Sequence, residues 1–201
     1  MMDAFAKLGL ERRAALDAEA LKAAWIERGR AAHPDHAGGE HQESAEINAA
    51  YELLSEPNTR LKHLLEIDYP QESKAWATVP MDEELMTLFM KLGPLLQKVE
   101  ALAKKCDTAA SALAKALLAN EQMALQEEVE EQLRQLEGMS EKLEGSLEEI
   151  DALRANGDRD RAFERMRRAQ AAFAYLSKWQ RQAREARMEL GEARVARGAG
   201  R

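Results

Sequence analysis

The sequence holds a single cysteine, Cys106, which excludes an intramolecular disulfide and leaves no thiol pair for a metal. Aromatic residues are only 5% of its 201 positions. With charged residues at 32% and Ala, Leu, Glu and Arg abundant, the composition favours helices with long exposed faces and little or no sheet. An excess of positive charge is missing too. The formal charge of -7 argues against a general nucleic-acid binder, whose affinity comes from neutralising phosphates. No uninterrupted apolar run approaches the length of a membrane span, and the N-terminus has no signal-peptide core. The expectation is therefore a soluble, cytoplasmic protein kept reduced, long enough for one or two domains with cores of their own. Repeats and low-complexity tracts are lacking apart from a short Gly/Arg tail at 198–201, expected to be disordered.

Prolines number five, and the first of them organises the N-terminal third. Upstream of His33-Pro34-Asp35, the stretch from Leu10 to Ala32 carries Leu16, Leu21, Ala24, Trp25 and Ala32 at helical spacing. That helix must stop at His33, because Pro34 disfavours the α conformation before it and has no amide hydrogen to donate. Gly38-Gly39 adds a second breaker, after which Ile47, Ala50, Tyr51 and Leu54 mark another helical stripe. The pattern predicts an antiparallel helical hairpin with His33-Pro34-Asp35 at its tip. A short helix over Asp3 to Leu8 precedes it, capped by Asp3 and ended by Gly9, and Asp17 is placed to cap the second helix. A further short helix follows Pro57-Asn58-Thr59-Arg60. A metal reading of His33, Asp35, His36 and His41 matches no ligand spacing we can defend, and His63 reads as an ordinary helix residue.

Over residues 1 to 67 this order of elements resembles the J domain of the DnaJ co-chaperones. The resemblance rests on the tripeptide, on Leu16-Asp17 entering the second helix, on Ile47-Asn48-Ala49-Ala50-Tyr51, and on Pro57, Arg60 and Leu64-Leu65. It implies that His33, Pro34 and Asp35 dock on a DnaK-type chaperone of the heat-shock seventy class and trigger ATP hydrolysis there. It also implies a basic docking face on the second helix, here made of Lys22, Arg28 and Arg30. That face is thin: Arg28 lies nearer the apolar stripe, and Ile26-Glu27 stand where the family commonly has two basic residues. Weaker electrostatic steering follows.

Residues 68–80 break the periodicity and contain two prolines, Pro70 and Pro80, which reads as a linker. From 81 to 197 everything looks helical, in three long segments. One runs from Met81 to about Lys105 with a kink at Gly93-Pro94. The next runs from Thr108 to about Arg154, with Asn120 as the place where it would break. The last starts at Asp158 after Asn156-Gly157. Gln126 to Asp151 carries ten acidic and two basic side chains, and Arg159 to Arg201 twelve basic and five acidic ones, so antiparallel pairing brings opposite charges together. Val129, Leu136, Leu143 and Ile150, with Leu133 and Leu147 between, form a coiled-coil seam, faced by Phe163, Met166, Phe173, Leu176 and Trp179. Burial of apolar area drives that packing, and charge selects its orientation.

A J domain followed by a linker and a helical bundle is similar to the HscB-type co-chaperones of iron-sulfur cluster assembly. In the bundle the likeness rests on Leu85-Met86 in the first helix and Tyr175-Leu176-Ser177-Lys178 in the last. It implies that Leu85, Met86, Phe89 and Tyr175 form an apolar patch for the cluster scaffold protein. The alternative is that these four fill the bundle core. The family's acidic rim positions fall here on Met90, Gly93 and Gln97, so that rim is missing.

The sequence therefore points to an all-α co-chaperone that is not an enzyme and holds no cofactor or metal. It would act as a monomer or weak homodimer with a DnaK- or HscA-type chaperone and an iron-sulfur scaffold. Two alternatives stay open: a J-domain protein of another pathway with a different client or a dimerising bundle, and a structural coiled-coil protein with a degenerate J domain.

Overall fold

A computed structural model of the protein describes residues 2–32, 41–72, 79–109 and 111–198. Among them are eight helices and no strand: α1 Ala4–Leu8, α2 Ala18–Ala31, α3 His41–Ser55, α4 Pro57–Asp68, α5 Glu83–Thr108, α6 Ala112–Gly145, α7 Leu147–Ala155 and α8 Arg159–Gly198. The fold is all-α, as composition and periodicity predict.

Local chemistry sets most of the helix ends. The Asp3 carboxylate accepts from the amides of Phe5 at 3.0 Å and Ala6 at 3.2 Å, and Asp17 does the same for Glu19 and Ala20. Pro57 occupies the first turn of α4, where a missing amide hydrogen is harmless. Gly9 closes α1 in the left-handed conformation at φ 71°, and a Cβ there would lie 2.5 Å from Nη2 of Arg28. Replacing Gly9 with alanine should therefore lower stability by about 1–2 kcal/mol, the strain of a left-handed L-residue, and push the Arg28 guanidinium aside. The shift of the urea midpoint measures it.

α2 starts at Ala18, directly after its cap Asp17, and the part of the apolar stretch from Leu10 to Asp17 is not helical. Asn120 lies within α6, which ends instead at Gly145. There the Ser146 amide bonds to the Leu143 carbonyl at 3.1 Å and the Ser146 hydroxyl donates to that carbonyl at 2.7 Å, a tight turn that separates α7. α5 runs as one helix through Gly93-Pro94, as the sequence predicts.

The chain forms two compact units. The first takes in Met1–Val79 and Lys142–Ala174. Its core combines Phe5, Leu8, Leu21, Ile47, Leu54, Leu61, Leu64 and Leu65 with Leu147, Ile150, Met166 and Phe173. Asp151 of α7 accepts from the amides of Ala14 and Ala15 at 2.8 and 2.9 Å. Arg154 donates to Asp68 at 2.6 Å and to the Arg12 carbonyl at 2.7 Å. Tyr69, buried where α4 ends, donates its hydroxyl to the Arg159 carbonyl and lies under the Arg159 guanidinium, 4.3 Å from ring centre. Arg60 is buried in the same unit. Its Nε donates to the Ala14 carbonyl at 3.0 Å and its Nη1 to the Leu54 carbonyl at 2.7 Å.

The second unit takes in Pro80–Glu141 and Tyr175–Arg201. Leu85, Leu88, Leu92, Leu95, Val99 and Leu102 bury one face of α5, and Leu125, Val129, Leu133 and Leu136 one face of α6. From α8 come Leu176, Trp179, Ala183, Ala186 and Leu190. Antiparallel order follows from the contacts: Lys98 meets Glu128 and Lys105 meets Glu121, while Gln122 donates to the Leu190 carbonyl and Gln180 to the Leu136 carbonyl. Glu137 on α6 pairs with Arg184 on α8 at 3.1 Å, an acidic and a basic segment meeting as the charge pattern predicts.

Candidate functional site

Two places carry the residues singled out by sequence, one in each unit. In the first unit α2 and α3 are paired antiparallel. The Trp25 and Tyr51 rings stack at 4.8 Å, and the Trp25 indole Nε1 donates to Asn48 at 2.8 Å. Nearer the tip, the Ser44 hydroxyl donates to the Ala32 carbonyl at 3.0 Å. Ala32 is itself buried and closes α2 through its amide bond to the Arg28 carbonyl. The chain thus leaves α2 from a fixed point and enters α3 tied to that same point. His33, Pro34 and Asp35 lie outside the described residues, as do His36 and the side chain of His41.

The three cations assigned to the docking face divide by their neighbours and not by exposure: all three are exposed on α2. Lys22 and Arg30 make no ion pair among the described residues, and the Arg28 guanidinium lies beside Gly9 at the end of α1. Arg30 borders a shallow depression with Ala23, Ile26, Glu27 and Ala31. Ile26 in that depression is 37% exposed and supplies apolar surface beside Arg30.

In the second unit the structure divides the apolar set as well. Leu85 is buried and faces the core of its unit. Met86 and Phe89 are 43% and 44% exposed, and Met90, the position where the acidic rim is missing, is 65% exposed. The periodicity explains this, since 85, 88, 92, 95, 99 and 102 share one face, 86 and 90 lie away from it, and 89, one turn after 85, lies at its edge. Phe89 rests against Trp179 at 5.5 Å between ring centres, and Tyr175 stacks on the same Trp179 at 5.6 Å. Trp179 is buried, so it is the floor on which exposed Phe89 and half-buried Tyr175 sit. Sequence reasoning placed Trp179 in the seam and missed this second role. The signal was its position four residues after Tyr175, one turn along the helix. Methionines beside aromatic rings make an adaptable apolar surface. Lys178, one turn beyond Tyr175, is exposed at its edge.

Among the described residues no group of His, Cys, Asp and Glu side chains is arranged to hold a metal ion, and no helix is long and apolar enough to cross a membrane. No protein-family model matches the chain, and no curated protein matches it. Among solved structures it is similar to the chaperone HscB from Vibrio cholerae, at 19% sequence identity and a TM-score of 0.49, over 94% of this chain and 99% of that one.

Proposed function

We propose that the protein is a J-domain co-chaperone of the HscB type. Its first unit would stimulate ATP hydrolysis by a DnaK- or HscA-type chaperone through His33, Pro34 and Asp35. Lys22 and Arg30 would guide the encounter. The observation that carries the reading is the pinning of α2 to α3 at Ala32 and Ser44, directly beside the tripeptide. A recognition tip works only if its two supports hold their spacing, because a partner that must first order the tip loses affinity to that ordering. In this reading the protein performs no chemistry itself and would act in the cytoplasm on its partner's cycle. Arg28, exposed on the same helix as Lys22 and Arg30 and beside Gly9, would add to their face.

The second unit would present a client, the iron-sulfur cluster scaffold, on Met86, Phe89 and Tyr175, with Leu85 supporting them from below. The exposure of Met86 and Phe89 over a buried Trp179 favours binding over simple core filling. A client of another pathway, or a second copy of the chain, is the rival occupant of that surface.

Single-turnover ATP hydrolysis by the DnaK-type chaperone tests the first claim. Wild-type protein is expected to accelerate it, and His33→Gln to lower the accelerated rate tenfold or more, about 1.4 kcal/mol of barrier. Equal rates for the two proteins would leave a structural coiled-coil role. Titration of the scaffold against wild type and Phe89→Ser tests the second claim, with sedimentation of the free protein reporting self-association. Scaffold binding lost in the variant supports the client reading, and dimerisation without scaffold binding supports the rival.

A further inference from the structure

His63 sits on α4 with 3% of its surface exposed, and its role there is specific. α1 has only five residues, too few to hold itself together in water. Its cap, Asp3, accepts from the amides of Phe5 and Ala6. The amide of Ala4 goes elsewhere: it donates to Nε2 of His63 at 3.0 Å. The imidazole also stacks on Phe5, with ring centres 6.1 Å apart. An Nε2 that accepts a hydrogen bond carries no proton, so this contact requires the neutral ring with its hydrogen on Nδ1. Adding a proton would set an Nε2–H against the Ala4 N–H, donor against donor, at a site closed to water.

We propose that the His63 to Ala4 contact is a proton-operated latch, in which neutral His63 holds α1 on α4 and protonation releases the first turn of α1. Burial is the largest influence on His63 and holds the imidazole below its ordinary value; Asp3 beside α1 and Glu66 on α4 favour the charged ring, and Arg12 opposes it. Arg12 is itself bound to Asp3 at 2.7 Å. With the folded value depressed, the contact contributes stability that is fully present above the unfolded value of about 6.5 and is lost as pH falls from there through the folded value. α1 also reaches the tip-side half of α3, where Lys7 pairs with Glu46 at 2.7 Å, so its release removes that tie as well. The latch does not depend on the co-chaperone reading.

Hydrogen exchange on the full-length protein tests the latch. Between about pH 7.5 and about pH 5, protection at the Ala4 amide, corrected for intrinsic exchange, is expected to fall at least tenfold. His63→Gln, which keeps an acceptor and cannot titrate, should flatten that dependence. An unchanged pH dependence in the variant would overturn the proposal. Should the variant fail to fold, the wild-type protein decides alone by NMR: the His63 ring and the Ala4 amide must titrate together, with one midpoint below about 6.5. Separate midpoints, or an Ala4 amide that ignores the ring's titration, would overturn it equally.

Discussion

Replacing Arg60 with methionine is expected to lower the unfolding free energy by about 2–6 kcal/mol, the cost of leaving two buried acceptors without a donor. The guanidinium is buried and forks to two carbonyls, those of Ala14 and Leu54. Methionine fills similar volume but leaves both oxygens without their donors, each a buried acceptor that water cannot reach. Burial lowers the pKa of Arg60, and the carboxylates of Glu144, Asp151 and Glu56 oppose that shift and keep the cation favourable. Without it, Asp151 still holds the amides of Ala14 and Ala15 but faces less positive charge. Lysine should recover only part of the loss, since a single ammonium cannot reproduce the planar fork. Urea unfolding of the three proteins measures the series. A change below about 1 kcal/mol for methionine would mean that the two carbonyls find other donors.

The second large effect is expected at Trp179. Alanine there removes a buried indole and should cost about 3–5 kcal/mol, whereas Phe89→Ala, at 44% exposure, should cost about 1 kcal/mol or less. The two losses should fall short of additivity in the double variant, because the Phe89 ring has nothing to rest on once Trp179 is gone. Calorimetric or denaturant unfolding of the two singles and the double resolves the pattern. For the proposed client surface, this makes Phe89 the residue that can be changed without unfolding the unit, and Trp179 the one whose loss confounds binding with stability.

What was legible in the sequence was what local chemistry decides. Asp3, Gly9, Asp17 and Pro57 mark helix ends because a cap acts within one turn, and each lies at the end it predicts. The hairpin was legible because Trp25 and Tyr51 fall on facing apolar stripes. The seam residues were legible too: Val129, Leu133, Leu136, Leu147, Ile150, Met166, Phe173, Leu176 and Trp179 are buried. A seam names a face but not its partner. Leu147 and Ile150 share the heptad of Val129 and Leu136, yet they cluster with Phe5 and Leu54. Nor does an apolar stripe announce which of two adjacent residues is outermost, and only the register of the whole of α5 separates Leu85 from Met86. His63 was illegible for a plainer reason. Its partner is the amide of Ala4, 59 positions away, and no side chain at either end advertises the bond.

The first unit is assembled from two stretches, Met1–Val79 and Lys142–Ala174, and that has a consequence for biosynthesis. A nascent chain that has just left the ribosome as far as residue 79 still lacks Leu147, Ile150, Met166 and Phe173, four side chains of its own core. At about 5–20 residues per second, the missing piece arrives about 5 to 20 s later. Until then the amino-terminal helices have no lid, and their unfilled apolar surface is itself the sort of target that a chaperone waiting at the tunnel exit would seize.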